Sequence, residues 1–231
     1  MRIDIVTLFP EMVKSVLSTS MTGRAMKQEL VEVQFHQLRD FTKNKQKQTE
    51  GYPYGGGQGK VIYAQPVYDC LMSIIREAEE NGREKPHVIF LTPAGETYAE
   101  AKAKELVKRE HIVLVCGHYE GFDERVVEKM ADEEISIGDY VLTGGEIAAM
   151  VVADSVIRLI PGVLKSAAAY EEESHYQRRL EYPQYTRPAV WEGMAVPEVL
   201  MSGDHEAVKK WQEEESLKRT MKRRPDLLED K

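Results

Sequence analysis

Over the first 160 residues, short β-branched-rich runs alternate with stretches of helical period. Ile3 to Phe9, Val31 to Leu38, Val88 to Leu91 and Ile112 to Cys116 read as buried strands. Pro66 stands at a helix start, and Leu71, Ile74, Ile75 and Ala78 continue the period to a stop at Asn81-Gly82. Two further helices are predicted, from about Thr97 to Arg109 and from Phe122 to Met130. This alternation predicts an α/β fold with a mostly parallel sheet flanked by helices. Gly145 to Ile160 is the most apolar helix, closed by Pro161-Gly162. From Lys165 to Tyr185 the period disappears, and a last helix from His205 to about Thr220 carries Val208, Trp211 and Leu217. The pattern predicts an α/β domain over 1–164, a linker over 165–180 and a small helical domain over 181–231.

Composition narrows the class. No apolar run approaches the roughly 18 to 20 residues of a membrane-spanning helix. The start, Met1-Arg2-Ile3-Asp4-Ile5, places an acid inside the first apolar stretch and does not read as a signal peptide. Two cysteines, Cys70 and Cys116, suit a reduced, cytoplasmic setting better than a disulfide framework or a zinc cluster. The net charge of −8 argues against a chain coated in nucleic acid. A local basic surface is still compatible with it, and Lys218, Arg219, Lys222, Arg223 and Arg224 form a run without an intervening acid.

Glycine supplies the candidate chemistry. Tyr54-Gly55-Gly56-Gly57-Gln58-Gly59-Lys60 allows close backbone approach to a phosphate or base, but a P-loop needs a glycine at Tyr54 and a Ser or Thr at Val61. No nucleotidase is implied. A Rossmann site needs glycines directly after the first strand, where Leu8-Phe9-Pro10-Glu11 stands. Better placed are Gly117-His118-Tyr119-Glu120-Gly121, after the fourth predicted strand, and Ile137-Gly138-Asp139-Tyr140-Val141-Leu142-Thr143-Gly144-Gly145, which opens the apolar helix. Loops at the carboxyl ends of parallel strands are where such sheets hold ligands. Glu120 and Asp139 could face a cationic ligand or simply cap a turn. His118 has no second ligand at metal spacing, so no metal site is predicted.

Several of these segments together resemble one family. Tyr54 to Gly57, Cys116 to Gly121, Asp123-Glu124-Arg125, Ser136 to Glu146, Ile160 to Leu164, Tyr182 to Pro188 and Val199 to His205 look like bacterial tRNA (guanine-N1)-methyltransferase. The likeness runs in order from Phe9-Pro10-Glu11-Met12 to Arg223-Arg224-Pro225-Asp226-Leu227. It implies a SPOUT-class α/β domain with a deep trefoil knot. The implied reaction moves the methyl group of S-adenosylmethionine to N1 of guanosine-37 in tRNA, beside the anticodon. The resemblance further implies a homodimer with the active site between subunits, a carboxyl-terminal domain that holds the tRNA, and assistance by Mg2+; neither a membrane nor DNA is an implied partner. A knotted RNA-binding protein without catalysis is the alternative.

Carried over residue by residue, the cofactor site falls on Gly117 and on Ile137, Gly138, Asp139, Tyr140, Val141 and Leu142. The family's functional arginine falls on Arg158. Its catalytic aspartate falls on Glu173, because the usual Glu-Asp-Ser-Phe reads here Glu172-Glu173-Ser174-His175. Neutral guanine carries a proton on N1, which must leave as the nitrogen attacks a methyl carbon, and a carboxylate can accept it. Glu173 is the candidate base, Glu172 its rival. Arg158 could stabilise charge on guanine O6 or pair with Asp154 one turn earlier. Arg187, Arg223 and Arg224 are candidate phosphate contacts. Two other departures are Gln58 and Lys60, where the family has Pro and Met, and Tyr176-Gln177-Arg178-Arg179, where it has a glycine.

Overall fold

A computed structural model describes residues 1–166 and 168–229, and the chain divides into two compact units between Lys165 and Ser166. The first unit contains, in chain order, β1 (Arg2–Thr7), α1 (Pro10–Leu17), α2 (Ser20–Lys27), β2 (Glu32–Gln37), β3 (Glu50–Gly51), β4 (Val61–Ile62), α3 (Ala64–Glu80) and β5 (His87–Thr97). It continues with α4 (Glu100–Leu106), β6 (His111–Cys116), α5 (Glu124–Met130), β7 (Glu133–Ser136) and α6 (Glu146–Ile157). Five strands form one sheet in the order β2-β1-β6-β5-β7, every pair parallel. The α/β class with a mostly parallel sheet is therefore observed. No described helix is long and apolar enough to cross a membrane.

Strand alternation sorts side chains onto two buried faces. Val6, Val113 and Val115 face α3 and α5, where Val67, Leu71, Ile74, Val126 and Phe90 complete a core. The other face meets α1, α4 and α6. Helix α6 buries Ala149, Val152, Ala153, Val156 and Ile157, which explains its apolar composition.

The sequence reading placed the first four sheet strands and shifted several ends. Strand β5 does not stop at Leu91: it leaves register with β7 between Leu91 and Glu96 and rejoins it to Thr97. The excursion is possible because Gly95 lacks a Cβ, which would stand 2.4 Å from the Ile135 nitrogen. The following helix starts at Glu100 rather than Thr97 for the same reason. Strand β7 and helices α1 and α2 were not predicted. Strand β7 carries Glu133, which contacts Lys102 and lies 3.2 Å from His87, and Glu134, which accepts from Thr92 Oγ1 at 3.1 Å.

The second unit contains α7 (Ala168–Glu171), a two-stranded ladder of β8 (Val190–Trp191) and β9 (Met194–Ala195), and α8 (His205–Arg223). Asp204 caps α8 by accepting from the backbone of Glu206 and Ala207 at 3.0 Å. The helix runs one turn beyond the predicted Thr220. Leu180 is tied to it twice: its N–H donates to Thr220 Oγ1 at 2.9 Å and its carbonyl accepts from Ser216 Oγ at 2.7 Å. Trp211 packs with the rings of Tyr182 and Tyr185.

Candidate active site

The excursion within β5 and the loops after β6 and β7 enclose a cavity of about 380 Å³. That volume is within the usual range for a small-ligand pocket. The β5 excursion contributes Thr92, Pro93 and Ala94, and the loop after β6 contributes Gly117 to Phe122. From the loop after β7, Ile137, Gly138, Tyr140, Val141 and Leu142 line the cavity. Asp139 does not line it, and its side chain is exposed. The structure thus brings together all but one of the residues to which the resemblance assigned the cofactor.

Glycine makes these loops possible. Gly138 has φ +150° and a Cβ there would meet the Tyr140 ring at 2.5 Å. Tyr140 donates its hydroxyl to the Ile137 carbonyl at 3.1 Å, and its N–H to the Gly138 carbonyl at 2.8 Å. A Cβ on Gly145 would strike the Cys116 Cα at 2.8 Å and the Gly117 nitrogen at 2.9 Å, so the start of α6 can approach β6 only as glycine. There the Gly145 N–H donates to the Gly117 carbonyl at 2.8 Å, and His118 and Gly144 form an isolated bridge.

The electrostatics of the cavity are acidic. Glu120, Glu124 and Glu134 line it. Cys116 ends β6 beneath it, and burial, assisted by the charge of Glu146, pushes its thiol well up; it is no nucleophile. Behind the wall, the buried Glu146 accepts from the Thr7 hydroxyl at 2.6 Å. Thr7, Thr92, Glu134 and Glu146 were missed as site residues. The available signal for Glu146 was one acid directly behind Gly144-Gly145 in an otherwise apolar helix.

The glycine-rich loop is bound to the same region. The Lys60 carbonyl accepts from Glu120 N–H at 2.9 Å, and the Gly121 carbonyl accepts from Ile62 N–H at 2.9 Å. A Cβ at Gly59 would stand 2.2 Å from Glu120 Oε1. Gly55, Gly56 and Gly57 have positive φ, and Tyr54 is fully exposed.

The other candidates stand elsewhere. Arg158 directly follows α6, roughly 18 Å of helix from its first residue, Glu146. Arg158 does not line the cavity. Glu172 is exposed and Glu173 half-buried, and both lie in the second unit. Arg187, Arg223 and Arg224 are exposed; Arg224 pairs with Asp226 at 2.7 Å. Among the described residues, no group of three or more His, Cys, Asp or Glu side chains is arranged to hold a metal ion.

Comparison with known proteins covers the whole chain. The family model described as tRNA (Guanine-1)-methyltransferase TrmD matches residues 1–230. A tRNA (guanine-N(1)-)-methyltransferase of Ruminiclostridium cellulolyticum is 52% identical over 228 residues, which cover 99% of this chain and 96% of the relative. One of Bacillus cereus is 49% identical over 231 residues, covering 100% of this chain and 93% of the relative.

Proposed function

The chain belongs to the tRNA (guanine-1)-methyltransferase family, and we propose that it methylates N1 of guanosine-37 in tRNA with S-adenosylmethionine as donor. The observation that carries this is the family match from residue 1 to residue 230, at about half identity to proteins of that name. At that identity a catalytically silent RNA-binding protein is not favoured.

The cavity suits the donor on its own terms. Its size fits a nucleoside-sized ligand, its glycines let backbone groups approach, and its three glutamates complement a cationic sulfonium. When bound, S-adenosylmethionine supplies an electrophilic methyl carbon. Gly117 and the 137–142 loop would hold it chiefly through backbone groups, with Asp139 oriented outward. Glu173 accepts the N1 proton of guanine, and Arg158 stabilises the negative charge that grows on O6.

The placement of Arg158 supports a homodimer. Arg158 stands at the far end of α6 from the cavity, and in this reading a second copy supplies it. The face available for pairing is apolar: Met12 and Val16 on α1, and Ile147 and Val151 on the neighbouring α6, are exposed at i, i+4 spacing. The SPOUT trefoil knot is our reading of the segment from β7 to α6, which passes against the loop after β6 through the His118–Gly144 bridge. Residues 165–180 then act as linker and 181–231 hold the tRNA through Arg187, Arg223 and Arg224. A magnesium ion would need water and phosphate oxygens for most of its shell, and no step is assigned to it. A tRNA substrate supports a cytoplasmic enzyme.

The test is radiolabelled methyl transfer to tRNA transcripts carrying guanosine or another base at position 37. Incorporation only into the guanosine transcripts is expected; none into any transcript would overturn the reading.

A further inference from the structure

Glu146 is 2% exposed, and a carboxylate so buried is costly unless its oxygens are engaged. Oε1 accepts from Thr7 Oγ1 at 2.6 Å, and Oε2 lies 3.2 Å from Nε2 of His118. The first turn of a helix also favours negative charge. The three residues come from three elements: Thr7 ends β1, His118 follows β6, and Glu146 begins α6. His118 lines the cavity, and Glu146 does not.

The pair meets only because position 144 is glycine. A Cβ there would stand 2.3 Å from His118 Nε2 and 2.4 Å from Glu146 Oε2. The imidazole is also packed between aromatic neighbours, with ring centroids 4.9 Å from Phe9 and 5.7 Å from Tyr119. A carboxylate beside one nitrogen and two aromatic neighbours restrict the plane of the ring.

We infer that Glu146 is a positioning residue for the cofactor pocket, acting through His118. The inference rests on the reading of this cavity as the S-adenosylmethionine site. Glu146 Oε2 stands against the Nε2 edge of the ring, which leaves the Nδ1 edge for other partners. A ring nitrogen on this wall complements a ligand rich in polar groups: an ammonium group, ribose hydroxyls and an adenine amino group. Thr7 sets the carboxylate, the carboxylate sets the ring, and the ring sets the wall formed by the loop after β6.

Calorimetric titration of S-adenosylmethionine into wild type, Glu146→Gln, His118→Ala and the double variant tests this. Glu146→Gln keeps the shape and removes the charge. It should weaken binding about tenfold, the scale of a lost supporting contact, and raise KM for the cofactor by the same factor with the loss in KM rather than kcat. The double variant should bind no more weakly than His118→Ala, since the effect passes through the ring. Unchanged affinity in folded Glu146→Gln, or losses that add in the double variant, would overturn the inference. Should Glu146→Gln not fold, the same cycle with Thr7→Val decides it: a loss is expected with His118 present and none in its absence, and any other pattern rejects it. If the wild type itself fails to bind, the reading of the cavity fails, and the inference falls with it.

Discussion

The carboxylate of Asp4 lies 2.5 Å from Nε2 of His111, with both side chains buried in the middle of the sheet. Strand alternation turns Asp4 toward α3, and the parallel register sets its neighbours beside it. His36 on β2 contacts its other oxygen at 2.5 Å, and Arg2 donates to both oxygens at 2.7 and 2.9 Å. Arg2 in turn reaches Glu77 on α3 at 2.6 Å and Glu32 on β2 at 3.7 Å. Arg83 closes the network on Glu32 at 2.9 Å.

This network predicts acid sensitivity. Burial works to raise the Asp4 carboxyl, but hydrogen bonds from His111, His36 and Arg2 outweigh it and hold the carboxyl far below the ordinary carboxylate range. A carboxyl lowered in the folded state contributes stability that is complete above its unfolded value of about 4 and is lost as pH falls below it. Asp4→Asn should cost about 3 kcal/mol near neutrality, since it removes the buried carboxylate that Arg2, His36 and His111 share. Its denaturant midpoint should then change less than that of the wild type between pH 6 and about 3.5. Parallel pH dependence in the two proteins would remove Asp4 as the source.

How far such features could be read in advance depended on how each residue signals itself. The four β-branched strands were legible because burial on both faces demands continuous apolar runs. Strand β7 was not, since Glu133 and Glu134 fill half of it and are satisfied by Lys102, His87 and Thr92, partners distant in sequence. The second limb of β5 was hidden by Pro93 and Gly95, which look like a strand end. Glycines marked the cavity because close backbone approach excludes a Cβ, but Asp4 and Glu146 were single acids in apolar runs. Their meaning came from partners 107 and 139 residues away. Glu173 and Arg158 were reached only through resemblance.

The cofactor loop can be tested at Gly138, where φ is +150° and a side chain would collide with Tyr140. Gly138→Val should abolish detectable S-adenosylmethionine binding while the thermal transition stays cooperative. It also tests the dimer. Mixed with Arg158→Ala, unfolded and refolded together, it should yield dimers with one intact site, and roughly a quarter of wild-type activity at equal mixing. No recovery above the separate variants would argue that Arg158 and the cavity act within one chain.

The tRNA surface predicts a salt dependence. Phosphate contacts release counterions, so each lost contact flattens the log–log slope of affinity against salt by about 0.7 on single-stranded or 0.9 on duplex regions. Arg224 already pairs with Asp226, an exposed contact that salt screens. Arg187→Ala and Arg223→Ala should therefore flatten the slope more than Arg224→Ala. Unaltered affinity and slope in the triple variant would identify the basic run as a solvated face.

The base is where this chain departs most from its family's pattern, with Glu173 in place of aspartate. The extra methylene moves the carboxylate by roughly 1 Å, a displacement that can cost about 10²-fold in rate if nothing compensates. If Glu173 takes the N1 proton, Glu173→Gln keeps size and hydrogen bonding and removes basicity. Single-turnover methylation should fall by about 10² to 10⁴ while tRNA affinity is largely kept. Glu172→Gln should have little effect, in keeping with its exposed side chain. Glu173→Asp is the more informative change, because it restores the family's residue in a backbone that holds the longer one; measurable activity is expected. Loss of methylation in Glu172→Gln with wild-type rates in Glu173→Gln would move the role to the neighbouring residue. Full activity in the double variant would show that neither glutamate is the base, and that the proton leaves by another route.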